Sequence, residues 1–130
     1  MKILVGFDNS KASKAALMLA VKHAKAFDAK ISLVTSLHGD STSDLNQTQT
    51  AEANLNQAKE LVIQKGIPCA SHVLVRGLTP GEDLVDFAKE TDSDEIIIGV
   101  KKRSRAGKLL FGSNAQIVIL NAHCPVVTVK

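Results

Sequence analysis

Residues 96–114 read IIIGVKKRSRAGKLLFGSN, and this stretch decides the fold. Three isoleucines in succession, Ile96 to Ile98, leave no face for water. They predict a strand buried on both sides, as in a parallel sheet. Gly99 ends the run with a residue that lets the backbone turn sharply or approach a ligand closely. A polar loop follows, carrying Lys101, Lys102, Arg103, Arg105 and Lys108. Gly112-Ser113 then opens an apolar segment that reads as helix. Strand, glycine, cationic loop and helix N-terminus in this order build an anion site in α/β proteins, because unpaired amides and the helix dipole face the loop.

Downstream, the spacing predicts a helix over Ser113 to Asn121 and a last strand over Pro125 to Val129. Ser113-Asn114-Ala115-Gln116 fits a capping box. Upstream, Thr79-Pro80-Gly81-Glu82 announces a helix, with Thr79 as N-cap, Pro80 at the first helical position and Glu82 closing a capping box. Leu84, Phe87 and Ala88 form its buried stripe. Pro68 to Val75 reads as strand and Arg76-Gly77-Leu78 as turn. A helix over about Thr48 to Lys65 buries Ala51, Leu55, Ala58 and Val62 and ends at Gly66. Residues 38–44 form a polar loop without periodicity. Ile31 to Leu37 is a strand. At the N-terminus, strand Ile3 to Phe7 leads through Asp8-Asn9 to Ser10, a good N-cap. The helix that follows carries Leu17, Ala20, Val21, Ala24 and Phe27 on one stripe.

The alternation of strands and helices implies one α/β domain over residues 1–130, a mostly parallel sheet with helices on both faces. In such sheets ligands bind off the carboxyl ends of the strands, where the strand order switches. Asp8, Ser36, Gly77 and Gly99 all stand at such ends. The totals narrow the function. No Trp or Tyr and only four Phe argue against a binder that stacks bases on aromatic side chains. A net charge of +3 suits an anionic small ligand and is a weak argument for nucleic acid. Cys69 and Cys124 lack metal-like spacing and read as reduced, mostly buried thiols. The opening MKILVGFD is a strand, with an apolar run too short for a signal peptide, and no segment reaches the length of a membrane span. The cytoplasm is the expected compartment.

Three pieces together carry a family resemblance: ILVGFDNSKASKAAL, VRGLTPGEDLVDFAKETDSDEIIIG and FGSNAQIVILNAHCPVVTVK. They span nearly the whole chain and resemble the universal stress protein family, single-domain type. The resemblance implies a five-stranded parallel sheet of order 3-2-1-4-5, Rossmann-like, and a homodimer formed through the C-terminal strand. It also implies ATP or another adenine nucleotide as ligand, with magnesium carried on the phosphates. One branch of the family holds ATP with the pattern G-x-x-G-(nine residues)-G-[ST]. Here Gly99 is the first glycine and Gly112-Ser113 the closing pair, followed by Asn114. Lys102 occupies the middle glycine position. A lysine there carries a Cβ where backbone approach was wanted. With Lys101 and Arg103 beside it, it either grips phosphates by side chain or points to solvent. The adenine and ribose contacts fall, by the resemblance, on Gly6, Phe7, Asp8, Ser36, Gly77 and Ile98, with Asp8 accepting from ribose hydroxyls.

Competing motifs fail. Gly107-Lys108 lacks the upstream glycine of a P-loop, and Leu109 stands where that motif needs Ser or Thr. The four histidines are scattered, and no nucleophile–base constellation appears. The expectation is therefore a non-enzymatic, nucleotide-binding dimer in stress response. Its alternative is a dimeric stress-response interaction protein that binds no nucleotide.

Overall fold

The computed structural model describes residues 1–38, 45–101, 103–105 and 108–130, with 103–105 and 108–110 described by backbone alone. The elements are β1 (Lys2–Gly6), α1 (Lys11–Phe27), β2 (Lys30–Ser36), α2 (Leu45–Gln64), β3 (Cys69–Leu74), α3 (Pro80–Glu90) and β4 (Glu95–Gly99). They continue with β5 (Arg103–Arg105), β6 (Lys108–Leu110), α4 (Ser113–Asn121) and β7 (Val126–Val129). The main sheet has the order β3-β2-β1-β4-β7, and all its neighbours are parallel. This is the expected 3-2-1-4-5 arrangement with the C-terminal strand in fifth place. The cationic stretch is not loop throughout, as its charge suggested. β5 and β6 pair antiparallel across two residues, the spacing of a tight hairpin.

Alternation along the strands splits the core in two. Ile3, Val5, Ile31, Leu33 and Ile97 face α1 and α2, where they meet Ala20, Leu55 and Val62. Leu4, Val34, Ile96 and Ile98 face α3 and α4, where they meet Leu84, Phe87 and Val118. Ile96 to Ile98 thus bury both faces of β4, as a central parallel strand must. The predicted stripe of α2 is its buried set: Ala51, Leu55, Ala58 and Val62. Phe27 departs from expectation. It is 59% exposed, because it is the last residue of α1 and the chain turns away at Asp28, in the left-handed region at φ 53°. Gly66 closes α2 at φ +80°, where a side chain would be strained.

Candidate functional site in the crevice between two strand ends

The site begins where two strands part. β1 pairs with β2 as far as Gly6 but with β4 only as far as Val5. Beyond that point the Phe7 N–H donates to Val34 O at 2.8 Å, while the Val100 N–H donates to Val129 O at 2.7 Å. β1 and β4 therefore lean toward opposite partners, and a cleft opens at the switch in strand order. A cavity of about 220 Å³ occupies it. Gly6, Phe7, Asp8, Ser36, Ile98, Gly99 and Asn114, all singled out from sequence, line it together with Ser10, Ser13, Thr35 and Leu84. A second cavity of about 370 Å³ shares Phe7, Asp8, Thr35 and Ser36 with it and extends toward α2.

Asp8 stands at the start of α1. Its Oδ1 accepts from the Ser10 N–H at 2.9 Å, and Ser10 Oγ caps the helix by accepting from the Ser13 N–H at 3.1 Å. Partial burial pushes the Asp8 carboxyl up. The hydrogen bonds from Ser10 and Ser13 and the charge of Lys101 together outweigh that, so its pKa lies below the ordinary 3.8. An ionised carboxylate lining the crevice can accept from hydroxyl groups of a ligand. The Lys101 charge reaches this site. Lys102, the departure from the motif, lies outside the described residues, and Arg103 is placed only as the first backbone position of β5.

The glycines divide by physical role. A Cβ on Gly99 would lie 2.4 Å from Ala12 C, 2.5 Å from Ala12 O and 2.7 Å from Ser13 N. The glycine is therefore required by the close packing of the first turn of α1 on β4, whether or not a ligand is near. Gly112 is the opposite case. Among the described residues none lies within 4 Å of where its Cβ would stand, and its φ of −61° suits any residue. Nothing in the fold itself demands a glycine there. It is also the N-cap of α4, without a side-chain cap bond, which makes Ser113 the first helical residue. The predicted Ser113–Gln116 capping box is thus corrected: Gln116 Nε2 donates to Phe111 O at 2.9 Å instead. Ser113 is left at the first turn of a helix whose N-terminus borders the crevice. Asn114 lines the cavity but also braces the helices, its Oδ1 accepting from the Gly81 N–H at 2.9 Å. Gly77 does not join the cavity lining. At φ +74° it serves the turn between β3 and α3.

Sequence reasoning missed a polar network on the wall. Asp83, which α3 carries in its first turn, is 0% exposed. Its Oδ1 accepts from Arg76 Nε at 2.6 Å and its Oδ2 from the Ser36 hydroxyl at 2.7 Å. Arg76 also donates from Nη1 to both oxygens of Glu90, at 3.0 and 2.9 Å, and lies 5.9 Å from the Phe87 ring centroid. Hydrogen bonding to Glu90 is the largest influence on Arg76, and with the Asp83 pair it raises the guanidinium pKa further. An Arg just after a strand, facing an Asp seven residues on, was the available signal.

The universal stress protein family model matches residues 1–130, the whole chain. The chain belongs to that family. Among relatives, a universal stress protein of Methanocaldococcus jannaschii is 30% identical, over 99% of this chain and 81% of the relative. A solved universal stress protein from Archaeoglobus fulgidus superposes with a TM-score of 0.88 at 35% identity, covering 100% of this chain and 93% of the other. A second from Archaeoglobus fulgidus, solved in complex with dAMP, has a TM-score of 0.85 at 33% identity, covering 100% and 98%. In this member of the family the histidines are used locally. His23 Nδ1 lies 2.7 Å from Glu95, His38 Nδ1 lies 3.1 Å from Leu78 O, and His72 packs on Phe87 at 5.1 Å. Among the described residues no cluster of His, Cys, Asp and Glu is arranged to hold a metal ion. No described helix is long and apolar enough to cross a membrane. Cys69 and Cys124 are free and half-buried rather than fully buried.

Proposed function

We propose that this universal stress protein binds an adenine nucleotide, ATP, ADP or AMP, in the crevice between β1 and β4. The observation that carries the proposal is the cavity at the strand switch, lined on one side by Gly6 to Asp8 and on the other by Ile98 and Gly99. The dAMP complex of a relative at 33% identity supports the choice of ligand. At about 220 Å³ the cavity is smaller than pockets that enclose a whole drug-sized ligand. Base and sugar occupy it, and the phosphates project past Asn114 toward the start of α4, at Gly112 and Ser113, within reach of the Lys101 charge. Gly112 fits that role, since the open space around it leaves the backbone approachable. Asp8, held ionised by its neighbours, takes the ribose hydroxyls. Magnesium, where it takes part, arrives on the phosphates. The protein is a binding module without dedicated catalytic residues, and it works in the cytoplasm as a stress-response regulator.

It acts as a homodimer through β7, one of the two edge strands of the sheet. An unpaired apolar edge invites a partner strand. Ile119 and Leu120 on the helix leading into it are exposed, Leu120 to 79%. Sedimentation should give twice the 13.8 kDa chain mass, and a monomer would refute the dimer. Calorimetric titration with ATP, ADP and AMP tests the ligand. Absence of binding at millimolar nucleotide would leave the chain as an interaction protein with an unused crevice. The purified protein should also carry excess absorbance at 260 nm, a sensitive readout in a chain without Trp or Tyr.

A further inference from the structure

Ser36 ends β2 and lines the cavity. Its hydroxyl donates to Asp83 Oδ2 at 2.7 Å, and the other carboxylate oxygen takes the Arg76 Nε–H at 2.6 Å. A carboxylate paired with a guanidinium has no proton to give, so the hydrogen in the Ser36–Asp83 bond belongs to the serine. A serine hydroxyl carries one hydrogen and two lone pairs. With that hydrogen committed, Ser36 offers the cavity only lone pairs. Turning the hydrogen toward the cavity would leave an oxygen of the fully buried Asp83 without its partner, which is unfavourable.

Strand order decides what this acceptor meets. β2, β1 and β4 are successive neighbours, so Ser36, Asp8 and Gly99 end three strands side by side. At about 4.8 Å per strand the row spans roughly 10 Å. α4 opens onto the same cavity, its Asn114 lining it with Ile98 and Gly99 of β4. A nucleotide with its phosphates at the start of α4 and its ribose at Asp8 brings its base to Ser36.

We propose that Ser36, held by the buried Asp83–Arg76 pair, is a fixed hydrogen-bond acceptor that reads the 6-amino group of the adenine ring; this rests on the nucleotide assignment above. A 6-oxo purine would set its carbonyl against the serine lone pairs. Asp83 touches no ligand. It is a positioning residue that acts through Ser36.

The test compares AMP with purine riboside 5′-monophosphate, which lacks only the 6-amino group, by calorimetric titration of the full chain. The unaltered protein should bind AMP about tenfold more tightly, the worth of one well-made hydrogen bond in a desolvated site. In Ser36→Ala the preference should collapse to about one, with AMP alone weakened, and Ser36→Thr should retain it. Asp83→Asn has an amide that can donate to Ser36 and free its proton, so the preference should narrow there too. Circular dichroism checks that each variant is folded, and the Ser36 variants decide the matter if Asp83→Asn is not. An AMP preference unchanged in Ser36→Ala, or equal binding of the two nucleotides to the unaltered protein, would overturn the proposal. Failure of AMP to bind at all would overturn the nucleotide assignment with it.

Discussion

Replacing Gly99 and Gly112 by alanine should separate two glycines that the family motif treats alike. At Gly99 the new methyl would sit 2.4 Å from Ala12 C and 2.5 Å from Ala12 O. Ordinary carbon contacts lie about 1 Å or more farther out. The obstructing atoms are backbone in the first turn of α1, so no rotamer change relieves the clash. Either α1 or the end of β4 must move, and both belong to the main core. Overpacking of this kind costs about 1–3 kcal/mol, and a backbone obstacle places Gly99→Ala near about 3 kcal/mol. For a chain of this length that lowers Tm by roughly 10–15 °C. Gly112→Ala meets nothing within 4 Å at a φ of −61°. Alanine is a poorer N-cap than glycine but restricts the unfolded chain, and the two effects roughly cancel, to within about 0.5 kcal/mol. On the proposed placement of the phosphates at the start of α4, its loss should appear in nucleotide affinity instead. Thermal and urea unfolding of both variants, with AMP titration, would measure this. A Gly99→Ala protein as stable as the original would refute the packing argument. A Gly112→Ala protein destabilised by several kcal/mol would show that the open space was misjudged.

The buried network predicts an asymmetry. Arg76→Ala strands the fully buried Asp83 carboxylate and should cost about 3–5 kcal/mol in urea unfolding, whereas Glu90→Ala, at a side chain 53% exposed, should cost less than about 1 kcal/mol. Asp8 has a folded-state pKa below 3.8, so its contribution to stability is present above that pH and is lost as the pH falls through the lower value. Asp8→Asn should accordingly be less stable than the original protein at neutral pH, and the two unfolding curves should converge in acid. Burial is the main reason the Cys69 thiol is pushed up from 9.0 to about 11, with Lys59 opposing it. At pH 8 its thiolate fraction should therefore be about a hundredfold below that of an unperturbed thiol, and its alkylation, measured by mass spectrometry of the labelled peptide, about tenfold slower or more, because a more basic thiolate is the better nucleophile.

Much of the fold was legible because its signals are local. Three isoleucines with no polar alternation can only be a strand covered on both faces, and β4 is that strand. Thr79 before Pro80 caps α3, its Oγ1 accepting from the Glu82 N–H at 3.4 Å. The illegible parts depend on what another segment brings. Asp83 looks like an ordinary first-turn acid, favoured by the helix dipole, and is buried only because Arg76 and Ser36 arrive from two other elements. Ser113 looks like an N-cap because serine so often is one. The helix begins at Ser113 itself, the predicted first residue, and Gly112 takes the cap position with its backbone alone. Gly99 was legible as a point of close approach, and the approach that the structure shows is that of helix α1.

That last distinction bears on how the crevice is held open. Gly99 lets α1 press on β4, and a Cβ on Gly81 would lie 2.8 Å from Asn114 O and 3.0 Å from Asn114 Cα. Two glycine contacts thus set the positions of the helix starts that border the cavity: α1 with Asp8 and Ser10, and α4 with Gly112 and Ser113. The Gly81 N–H to Asn114 Oδ1 bond ties the second of these to α3, which also supplies Asp83. The spacing between the Asp8 carboxylate and the start of α4 is therefore a property of core packing. The distances among Ser36, Asp8 and the start of α4 rest on these contacts. Gly81 does not itself line the cavity, so Gly81→Ala should weaken AMP affinity in a calorimetric titration by displacing Asn114 and the start of α4, and unchanged affinity would refute this.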